Sequence, residues 1–312
     1  MKIIRNIEKH AMRKPAAVVI GAFDGVHTGH QCLIEKAEKK AKKINGRSVL
    51  VTFSEHPDKI LVKDPEIRLI KNTDYNMELI GKYGIDYVVV LDIKKFADMP
   101  AEDFIKKILV KKIRMKYIVT GKDFVFGKNA AGNTELLKKA GRKYGFETEI
   151  IPDVKIGKKR ISSTLVRQAL KNGEIKTVEK MLKRPYMIKG RVVKGRGAGQ
   201  TLGFPTANIK IRNEEIPARG VWAAAVCIEN KKHTGAVNIG FAPTLKKKKA
   251  AVIEVFIIDF SGNIYGKTVE VVFLERLRDE KKFRNTEELK KQIAKDVEKI
   301  KKKYKKTKGG KE

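Results

Sequence analysis

AAVVIGAFDGVHTGH, residues 16–30, joins an apolar run to a glycine-rich turn and ends with two histidines. Residues 17–20 predict a buried strand, and the amphipathic pattern from about residue 28 to residue 43 predicts a helix directly after the turn. The glycines allow a tight bend and a close approach of the backbone to a ligand. Because the N–H groups at the start of a helix attract anions, the stretch predicts an anion-binding turn.

The two histidines of this stretch strengthen that prediction. His27 and His30 lie three residues apart in the first turn of the predicted helix, so both side chains can face the same phosphate. A lone histidine is usually a satisfied surface or core residue. Two histidines around a glycine at a strand-to-helix turn favour a phosphate site instead.

The remainder of the first half alternates short apolar runs with amphipathic stretches. Further strands are predicted at 48–53, 87–91, 117–120 and 147–151, and further helices near 101–112 and 133–143. This alternation implies parallel βαβ units in a doubly wound α/β sheet. Ligands of such sheets bind at the carboxyl ends of the strands.

Near residue 184 the pattern changes, because glycine, proline and β-branched residues replace the helical pattern. Strands are predicted at 187–193, 221–228, 234–237, 252–260 and 268–274, followed by a helix at about 286–302. Short strands separated by turn signals predict a small antiparallel β-barrel. We therefore predict an α/β domain at 1–183, a barrel domain with a terminal helix at 184–304, and a Lys/Gly-rich tail at 305–312.

A second candidate phosphate segment is ISSTLVR, residues 161–167. Ser162 or Ser163 suits the N-cap of a helix, and Arg167 returns to the same face one turn later. Hydroxyls, helix N–H groups and a guanidinium can together clamp a polyphosphate. Taken alone, the segment is also compatible with an ordinary capped helix that carries a surface arginine.

The predicted barrel contains a third polar cluster, in LGFPTAN at residues 202–208. Thr206 and Asn208 lie two apart, which places a hydroxyl and an amide on one face of an extended segment. Such oxygen ligands suit Mg²⁺ bound together with phosphate oxygens, although a plain polar turn is the alternative. Glu254 interrupts the apolar run at 251–258, so its carboxylate is either exposed at an edge or held for use.

The HxGH pattern at 27–30 and the SSTxxR pattern at 162–167 resemble the nucleotidyltransferase signature. The longer spelling GxFDGVHxGH at 21–30 resembles the FAD synthetase part of prokaryotic bifunctional riboflavin kinase/FMN adenylyltransferases. TFxxHP at 52–57 and GxxFxFG at 121–127 continue that resemblance.

The resemblance implies roles for individual residues of the first domain. His27 and His30, with Arg167, would stabilise charge on the α-phosphate and on the pyrophosphate leaving group. His56 and Asp123 would contact the flavin or the nucleotide. The residues implied to bind ATP or its phosphates here are Gly21, Phe23, Asp24, Gly29, Ser163 and Thr164.

The second half resembles the riboflavin kinase domain of the same family. The matching segments are GxxLGFPTAN at 199–208, GVWA at 220–223, NIGFAPT at 238–244, Glu254, and LRDEKKF at 277–283. The resemblance implies that Thr206 and Asn208 hold Mg²⁺ and the ATP phosphates. It also implies that Glu254 is the general base on the riboflavin 5′-hydroxyl, or orients that hydroxyl.

Two departures concern the kinase segments. Gln200 and Ala242 stand where many members of the family have arginine, so two cations near the kinase loops are missing. Whether this weakens the kinase is left open by the sequence. The resemblance implies ATP-dependent phosphorylation of riboflavin to FMN, adenylylation of FMN to FAD, and Mg²⁺ as cofactor.

The charge of the chain suggests other classes of protein. Lys and Arg number 70 against 36 acidic residues, which gives a net charge of +34. This excess is typical of nucleic-acid or membrane binding, but the lysine runs at 246–249 and from 299 onward lack the interleaved aromatic residues that stack bases. No apolar stretch approaches the roughly 20 residues of a membrane span, and Cys32 and Cys227 show no ligand spacing.

We therefore expect a cytoplasmic enzyme that binds small molecules, with no specific nucleic-acid or membrane partner; the sequence leaves homo-oligomer formation open. One alternative is an enzyme in which only the adenylyltransferase site is active. Another is a flavin- or nucleic-acid-binding regulator on the same scaffold. The joint presence of His27, His30, Arg167 and Glu254 favours an enzyme, because a pure binding protein has no need of that set.

Overall fold

A computed structural model of the chain describes residues 1–61, 68–195, 197–243 and 249–304. These residues fall into two compact units, Met1–Leu165 and Val166–Glu312. The lysine run at 246–249, except for Lys249, and the whole predicted tail at 305–312 lie outside the described residues. Within the described ranges, no helix combines the length and the apolar character that crossing a membrane requires.

A six-stranded sheet forms the centre of the first unit. Its strands are β1 (Lys2–Ile4), β2 (Ala16–Ile20), β3 (Arg47–Phe53), β4 (Tyr87–Leu91), β5 (Met115–Gly121) and β6 (Glu147–Ile151). They lie in the order β1-β4-β3-β2-β5-β6, and every neighbouring pair is parallel. The predicted doubly wound α/β fold is confirmed. β1 has only three residues, too few to show a period-2 pattern in the sequence.

Helices cover both faces of this sheet. They are α1 (Thr28–Lys43), α2 (Pro57–Leu61), α3 (Thr73–Gly81), α4 (Ile93–Phe96), α5 (Ala101–Asp103) and α6 (Thr134–Tyr144). The predicted helix at 101–112 is one α-helical turn followed by a π-helical segment, Phe104–Lys112. A short antiparallel hairpin follows β6, formed by β7 (Lys155–Ile156) and β8 (Lys159–Arg160).

Alternate side chains of β2 belong to two different buried clusters, one on each face of the sheet. Ala17 and Val19 belong to one buried cluster with Ile34 and Ala37 of α1. Ala16, Val18 and Ile20 belong to the other cluster, which also contains residues of the π-helical segment. Successive side chains of a strand point to opposite faces, so a strand buried on both sides is apolar throughout.

The order of the strands places a crevice in the first unit. From β2 the chain builds the sheet outward through β3 and β4 on one side, and it later adds β5 and β6 on the other side. The connections that leave β2 and β5 therefore diverge at the carboxyl ends of these neighbouring strands. Open α/β sheets bind ligands at such a reversal of strand order.

A closed antiparallel barrel forms the centre of the second unit, as predicted. Its strands are β9 (Met187–Val193), β10 (Thr206–Lys210), β11 (Gly220–Ile228), β12 (Lys231–Pro243), β13 (Lys249–Ile257) and β14 (Thr268–Arg278), in the order β10-β13-β12-β11-β14-β9. Helices α7 (Ser163–Asn172), α8 (Ile175–Leu182), α9 (Ala198–Thr201) and α10 (Thr286–Tyr304) accompany it. β10 contains Thr206 and Asn208, for which the sequence left two alternatives, a plain polar turn or a set of metal ligands.

The two compact units divide within α7. Most of α7 and all of α8 belong to the second unit. α8 packs against β14, and the N–H of Ala218 donates to the carbonyl of Leu170 at 2.9 Å. The change of pattern near residue 184 coincides with the start of the first barrel strand, β9, and the domain boundary at residue 183 stays a prediction.

The terminal helix α10 is fixed to the barrel by a charged contact with little exposure. The Arg278 guanidinium lies 2.7 Å from a carboxylate oxygen of Asp296, and the two side chains are 14% and 10% exposed. Gln292 donates to the other carboxylate oxygen at 2.9 Å. Val297 and Ile300 of the same helix pack in a cluster with Ala223.

Substitution of Asp296 by alanine is expected to lower the free energy of unfolding of the second unit by about 3 kcal/mol, because it leaves the Arg278 charge buried without its partner. Urea unfolding followed by the fluorescence of Trp222, the one tryptophan of the chain and fully buried, measures this. Glu298→Ala, on the exposed side of the same helix, should change stability by less than about 0.5 kcal/mol. A loss below about 1 kcal/mol for Asp296→Ala would show that this ion pair does not hold the helix.

Candidate active sites

The turn after β2 is held by a buried carboxylate. Asp24 is 2% exposed and accepts hydrogen bonds from the backbone N–H groups of Ile70 and Lys71, at 3.0 and 3.3 Å. The N–H of Gly25 donates to the side-chain oxygen of Asn76 at 3.1 Å. Gly25 has φ +72°, and a Cβ there would lie 2.7 Å from the Ile70 side chain. The Asp24 side chain thus ties the turn to the segment before α3.

The two predicted histidines meet at the start of α1. His27 is the N-cap residue, and its Nδ1 accepts from the backbone N–H of His30 at 3.3 Å. The two imidazole rings stack with centroids 3.7 Å apart and an interplanar angle of 18°. The ring of Phe23 also packs against His30, with the two ring centroids 5.0 Å apart. The capping geometry therefore fixes both rings relative to the helix start.

The His30 ring is held in its neutral form. Burial, and secondarily the neighbouring His27, lower the pKa of His30 well below its usual value. The Nδ1 atom of His30 is buried and has no hydrogen-bond partner within the described ranges. Because Nδ1 is buried, Nε2 is the ring nitrogen by which a neutral His30 can meet a ligand in a neighbouring cavity.

A cavity of about 260 Å³ opens in front of these rings, at the carboxyl ends of β2 and β5. The sequence-predicted residues that line it are Gly21, Phe23, His27, Gly29, His30, Asp123 and Ser163. Ser162 caps α7 by accepting from the N–H of Leu165 at 3.2 Å, and the Ser163 hydroxyl donates to the carbonyl of Asp24 at 3.1 Å. The two segments that the sequence singled out are thus joined at one cavity.

Four other predicted residues lie elsewhere. Asp24 is buried behind the turn. His56 lines a neighbouring space of about 30 Å³, which also contacts Phe23 and Asp24. Thr164 is exposed on the first turn of α7, and Arg167 follows on that helix within the second unit.

The sequence did not indicate a group of ion pairs that also lines this cavity. The Nε of Arg160, at the end of the β7–β8 hairpin, lies 3.1 Å from Asp153, and its Nη1 contacts Asp123. The Lys122 ammonium lies 3.0 Å from the other oxygen of Asp153. Hydrogen bonding to Lys122 and the charge of Arg160 hold the pKa of Asp153 below its usual range. One arginine among 70 basic residues carries no sequence signal of its own.

The second candidate site lies on the barrel and is built by strand register. Asn208 of β10 and Asn238 of β12 both pair with Glu254 of β13, so the three side chains share one face. The neighbours Ile253 and Val255 are buried, whereas Glu254 is half-buried. The predicted polar interruption of β13 is therefore on the outer face of the barrel. Asn238 was not among the predicted site residues.

Gly195, before α9, and Gly199, within α9, lie directly on the predicted metal ligands. A Cβ on Gly195 would overlap the Asn208 side-chain amide, and a Cβ on Gly199 would lie 3.0 Å from the Thr206 hydroxyl. Only glycine leaves room at these two positions, so the two glycines form a cradle over Thr206 and Asn208. Hydroxyl and amide oxygens beside a carboxylate are ligands that suit Mg²⁺.

A cavity of about 420 Å³ adjoins this cradle. Its walls include Thr206, Pro205, Val255 and Gln200, together with the loop at 260–265. Gln200, the first departure from the family pattern, therefore faces the cavity. The second departure, Ala242, lies in β12, and its side chain is outside the described residues.

Glu280 is a further carboxylate near Asn238; it lies in the segment LRDEKKF, but the sequence assigned it no role. A Cβ on Gly240 would lie 2.5 Å from its carboxylate oxygen and 3.8 Å from the Asn238 amide. Within the described ranges, no group of three or more His, Cys, Asp or Glu side chains is placed to hold a metal ion. A cation at the cradle would therefore depend on hydroxyl, amide and phosphate oxygens.

Comparison with known proteins covers both units. The family models described as FAD synthetase and Riboflavin kinase match residues 9–165 and 182–304. The bifunctional riboflavin kinase/FMN adenylyltransferase of Escherichia coli (strain K12) is 36% identical over 300 residues, which are 95% of this chain and 96% of that protein. The protein of the same name from Buchnera aphidicola subsp. Schizaphis graminum is 38% identical over 309 residues, 97% of this chain and 98% of the relative.

A solved structure is similar to this chain over almost its whole length. A crystal structure from Streptococcus pneumoniae, described as a macrolide-efflux protein, has a TM-score of 0.86 and 34% identity, and the match covers 96% of this chain and 98% of that one. The FAD synthetase model matches the first half of the chain and the riboflavin kinase model the second half. The relatives match over nearly the full length of both chains. The chain therefore belongs to the family of bifunctional riboflavin kinase/FMN adenylyltransferases.

Proposed function

We propose that this chain phosphorylates riboflavin to FMN with ATP in its second unit and adenylylates FMN to FAD, with release of pyrophosphate, in its first. The observation that carries the proposal is the stacked pair His27 and His30 at a helix start, facing a cavity at the reversal of strand order. The barrel adds a separate set of oxygen ligands with a carboxylate in register. Each set supports one of the two activities named for the relatives.

In the first unit, a phosphate oxygen of FMN would attack the α-phosphorus of ATP. A bond forms between that oxygen and the phosphorus, and the bond to the pyrophosphate oxygen breaks. No side chain forms a covalent bond, so the residues act by positioning and by stabilising charge. His30, whose pKa is held well below its usual value by burial, would donate a hydrogen bond to the phosphates from Nε2, as would the N–H groups that begin α1.

In the second unit, the Glu254 carboxylate would accept the proton of the riboflavin 5′-hydroxyl, whose oxygen attacks the γ-phosphorus of ATP and releases ADP. Thr206 and Asn208 are placed two residues apart on the strand beside Glu254. They would hold Mg²⁺, which shields the negative charge of the ATP phosphates when it is bound. The cavity beside the cradle has room for the nucleotide.

Other residues act in the surroundings of the first site. His56, in the space that Phe23 also lines, would contact the flavin side of the first reaction. Thr164, on the first turn of α7, would contact the ATP phosphates, and the role of Arg167 stays a prediction from the sequence. The net charge of +34 would steer anionic substrates toward the protein. We place the enzyme in the cytoplasm, where ATP is supplied, with small molecules and not nucleic acid as its substrates.

Incubation of the full chain with riboflavin, ATP and Mg²⁺ tests the proposal, with the flavins separated by chromatography over time. The appearance of FMN, followed by the appearance of FAD, would support both activities. If riboflavin stays unchanged while supplied FMN becomes FAD, only the adenylyltransferase is active, and Gln200 is the first residue to restore to arginine. If neither flavin reacts, the proposal is wrong.

The variant His30→Ala should lower the rate of FAD formation from FMN about a hundredfold, because one preorganised hydrogen-bond donor to the phosphates is lost. Riboflavin kinase activity of the same variant serves as an internal control and should be unchanged. His10→Ala removes an exposed histidine of the same unit and should leave both rates unaltered. Near-normal FAD formation by His30→Ala would contradict the role assigned to the histidine pair.

The variant Glu254→Gln should lower FMN formation from riboflavin by at least about a hundredfold, since the amide cannot accept the hydroxyl proton. FAD formation from supplied FMN should continue at the normal rate. The matched control is Glu270→Gln on β14, which removes a carboxylate that pairs with Lys189 at 3.2 Å. Equal FMN formation by Glu254→Gln and the unaltered chain would remove Glu254 from the mechanism.

A further inference from the structure

A concentration of positive charge lies at the amino-terminal edge of the parallel sheet, away from the cavity of the first unit. Arg13 and Lys14 precede β2, and Arg114 precedes β5, the strand that pairs with it. Lys43 ends α1, and Lys111 lies in the last turn of the π-helical segment. All five residues are exposed. We call these five residues the amino-terminal basic surface.

Backbone hydrogen bonds hold the segments of this surface together. The N–H of Ala16, at the start of β2, donates to the carbonyl of Arg114 at 3.1 Å. The N–H of Arg47, which begins β3 shortly after the end of α1, donates to the carbonyl of Pro15 at 2.8 Å. Three separate parts of the chain therefore present their cations at one edge of the sheet.

Few carboxylates offset this charge. In the part of the chain that the structure describes, none of the five basic side chains forms an ion pair. Of the acidic side chains nearby, Asp86 is held by Arg47, whose guanidinium lies 3.1 Å away. Glu8 and Glu147 are exposed and offset part of the charge. The surface therefore keeps an excess of positive charge.

The stability of the fold explains only part of this charge. Lys43 and Lys111 lie at the C-termini of helical segments, where a cation interacts favourably with the helix dipole. Arg13, Lys14 and Arg114 lie in loops before strands, so that explanation does not apply to them. Arg114 has φ +57°, a conformation in which glycine would be less strained, so the backbone does not require an arginine there.

Steering of substrates toward the cavity does not explain the surface either. The cavity lies at the carboxyl ends of β2 and β5, whereas the basic surface lies at their amino ends. The five residues of β2, at about 3.3 Å each, separate the two edges by about 16 Å. Salt screens charges over about 8 Å at physiological ionic strength, so this surface adds little to the attraction of a nucleotide into the cavity.

The composition of the surface favours one kind of polyanion. The exposed large apolar side chains of the described chain are Met1, Ile3, Val125 and Tyr265, and none belongs to the surface. Surfaces that bind membranes combine cations with apolar side chains, and sites for single strands carry aromatic side chains that stack bases. Arginine and lysine alone match the phosphates of a double helix, which are contacted without regard to sequence.

We propose that the amino-terminal basic surface binds the phosphate backbone of double-helical nucleic acid, independently of its sequence. Arg13, Lys14 and Arg114 make the central contacts. Lys43 and Lys111 extend them, because α1 and the π-helical segment pack on opposite faces of the sheet. The nucleic acid is a partner and not a substrate, and the proposal does not depend on either proposed catalytic activity.

Fluorescence anisotropy of the full chain with a labelled RNA duplex, and with a DNA duplex of the same sequence, tests the proposal. At physiological salt the unaltered chain should bind with a Kd of about 1 to 100 µM, the range of binding through phosphates. The triple variant Arg13→Gln, Lys14→Gln, Arg114→Gln should bind about tenfold or more weakly. Its plot of log Kd against log salt should be shallower by about two to three, because each lost phosphate contact removes about 0.9 from the slope.

The matched control is the triple variant Lys180→Gln, Lys231→Gln, Lys232→Gln. It removes the same net charge from exposed positions of the second unit, so it should leave the Kd and the salt dependence nearly unchanged. Urea unfolding followed by circular dichroism should give the same midpoint for the unaltered chain and both variants. Weaker binding by the first variant then reflects lost contacts and not a loss of structure.

Four results would overturn the proposal. The first is an equal loss of affinity in both triple variants, which would show that net charge alone matters. The second is a Kd above about 100 µM for both duplexes at physiological salt. The third is displacement of the duplex by saturating ATP and FMN at constant ionic strength, which would place it at a catalytic site. The fourth is binding to phosphatidylserine vesicles that only the first variant loses, while both duplexes stay unbound. Binding of one duplex and not the other would support the proposal and identify the partner as RNA or DNA.

Discussion

The buried carboxylate of Asp24 is the interaction on which the first site depends. It accepts two backbone N–H groups from the segment before α3, and thereby fixes the turn that carries the chain from β2 into α1. His27 then caps the helix with its side chain and stacks on His30, so the cap and the stacking together fix the ring positions relative to the turn. The Ser163 hydroxyl donates to the Asp24 carbonyl, and the same turn therefore also positions the start of α7. A buried charge with several donors is costly to break, which suits an arrangement that must not shift.

In the barrel, strand register fixes the positions of the candidate site residues. Antiparallel register places Asn208, Glu254 and Asn238 in one row across three strands, and closure of the barrel leaves that row no freedom to slip. A shift of one residue would move the whole polar row to the apolar interior. Gly195 and Gly199 lie so close to Asn208 and Thr206 that a side chain at either position would collide with these candidate ligands.

The fold could be predicted, and much of each candidate site could be located in the sequence, because their signals are local. A strand, a glycine turn and two histidines within 15 residues specify the first site, and the interruption of an apolar strand marks Glu254. Arg160, Asn238 and Glu280 were assigned no role, because contacts between distant segments bring each of them to its candidate site; Asn238 and Glu280 lie in segments that were quoted only for the family resemblance. The division of the compact units within α7 depends on similar contacts, such as the hydrogen bond from the N–H of Ala218 to the carbonyl of Leu170.

The edges of the two sheets bear on how the protein behaves at high concentration. A barrel has no unpaired strand, whereas the parallel sheet ends in β1 and β6. β1 is three residues long and begins with Lys2, and β6 carries Glu149, whose carboxylate is held by Tyr117 and Lys36. Short or charged edges are poor templates for pairing with another chain. Crowded copies that repel one another through their charge therefore have little backbone on which aggregation can start.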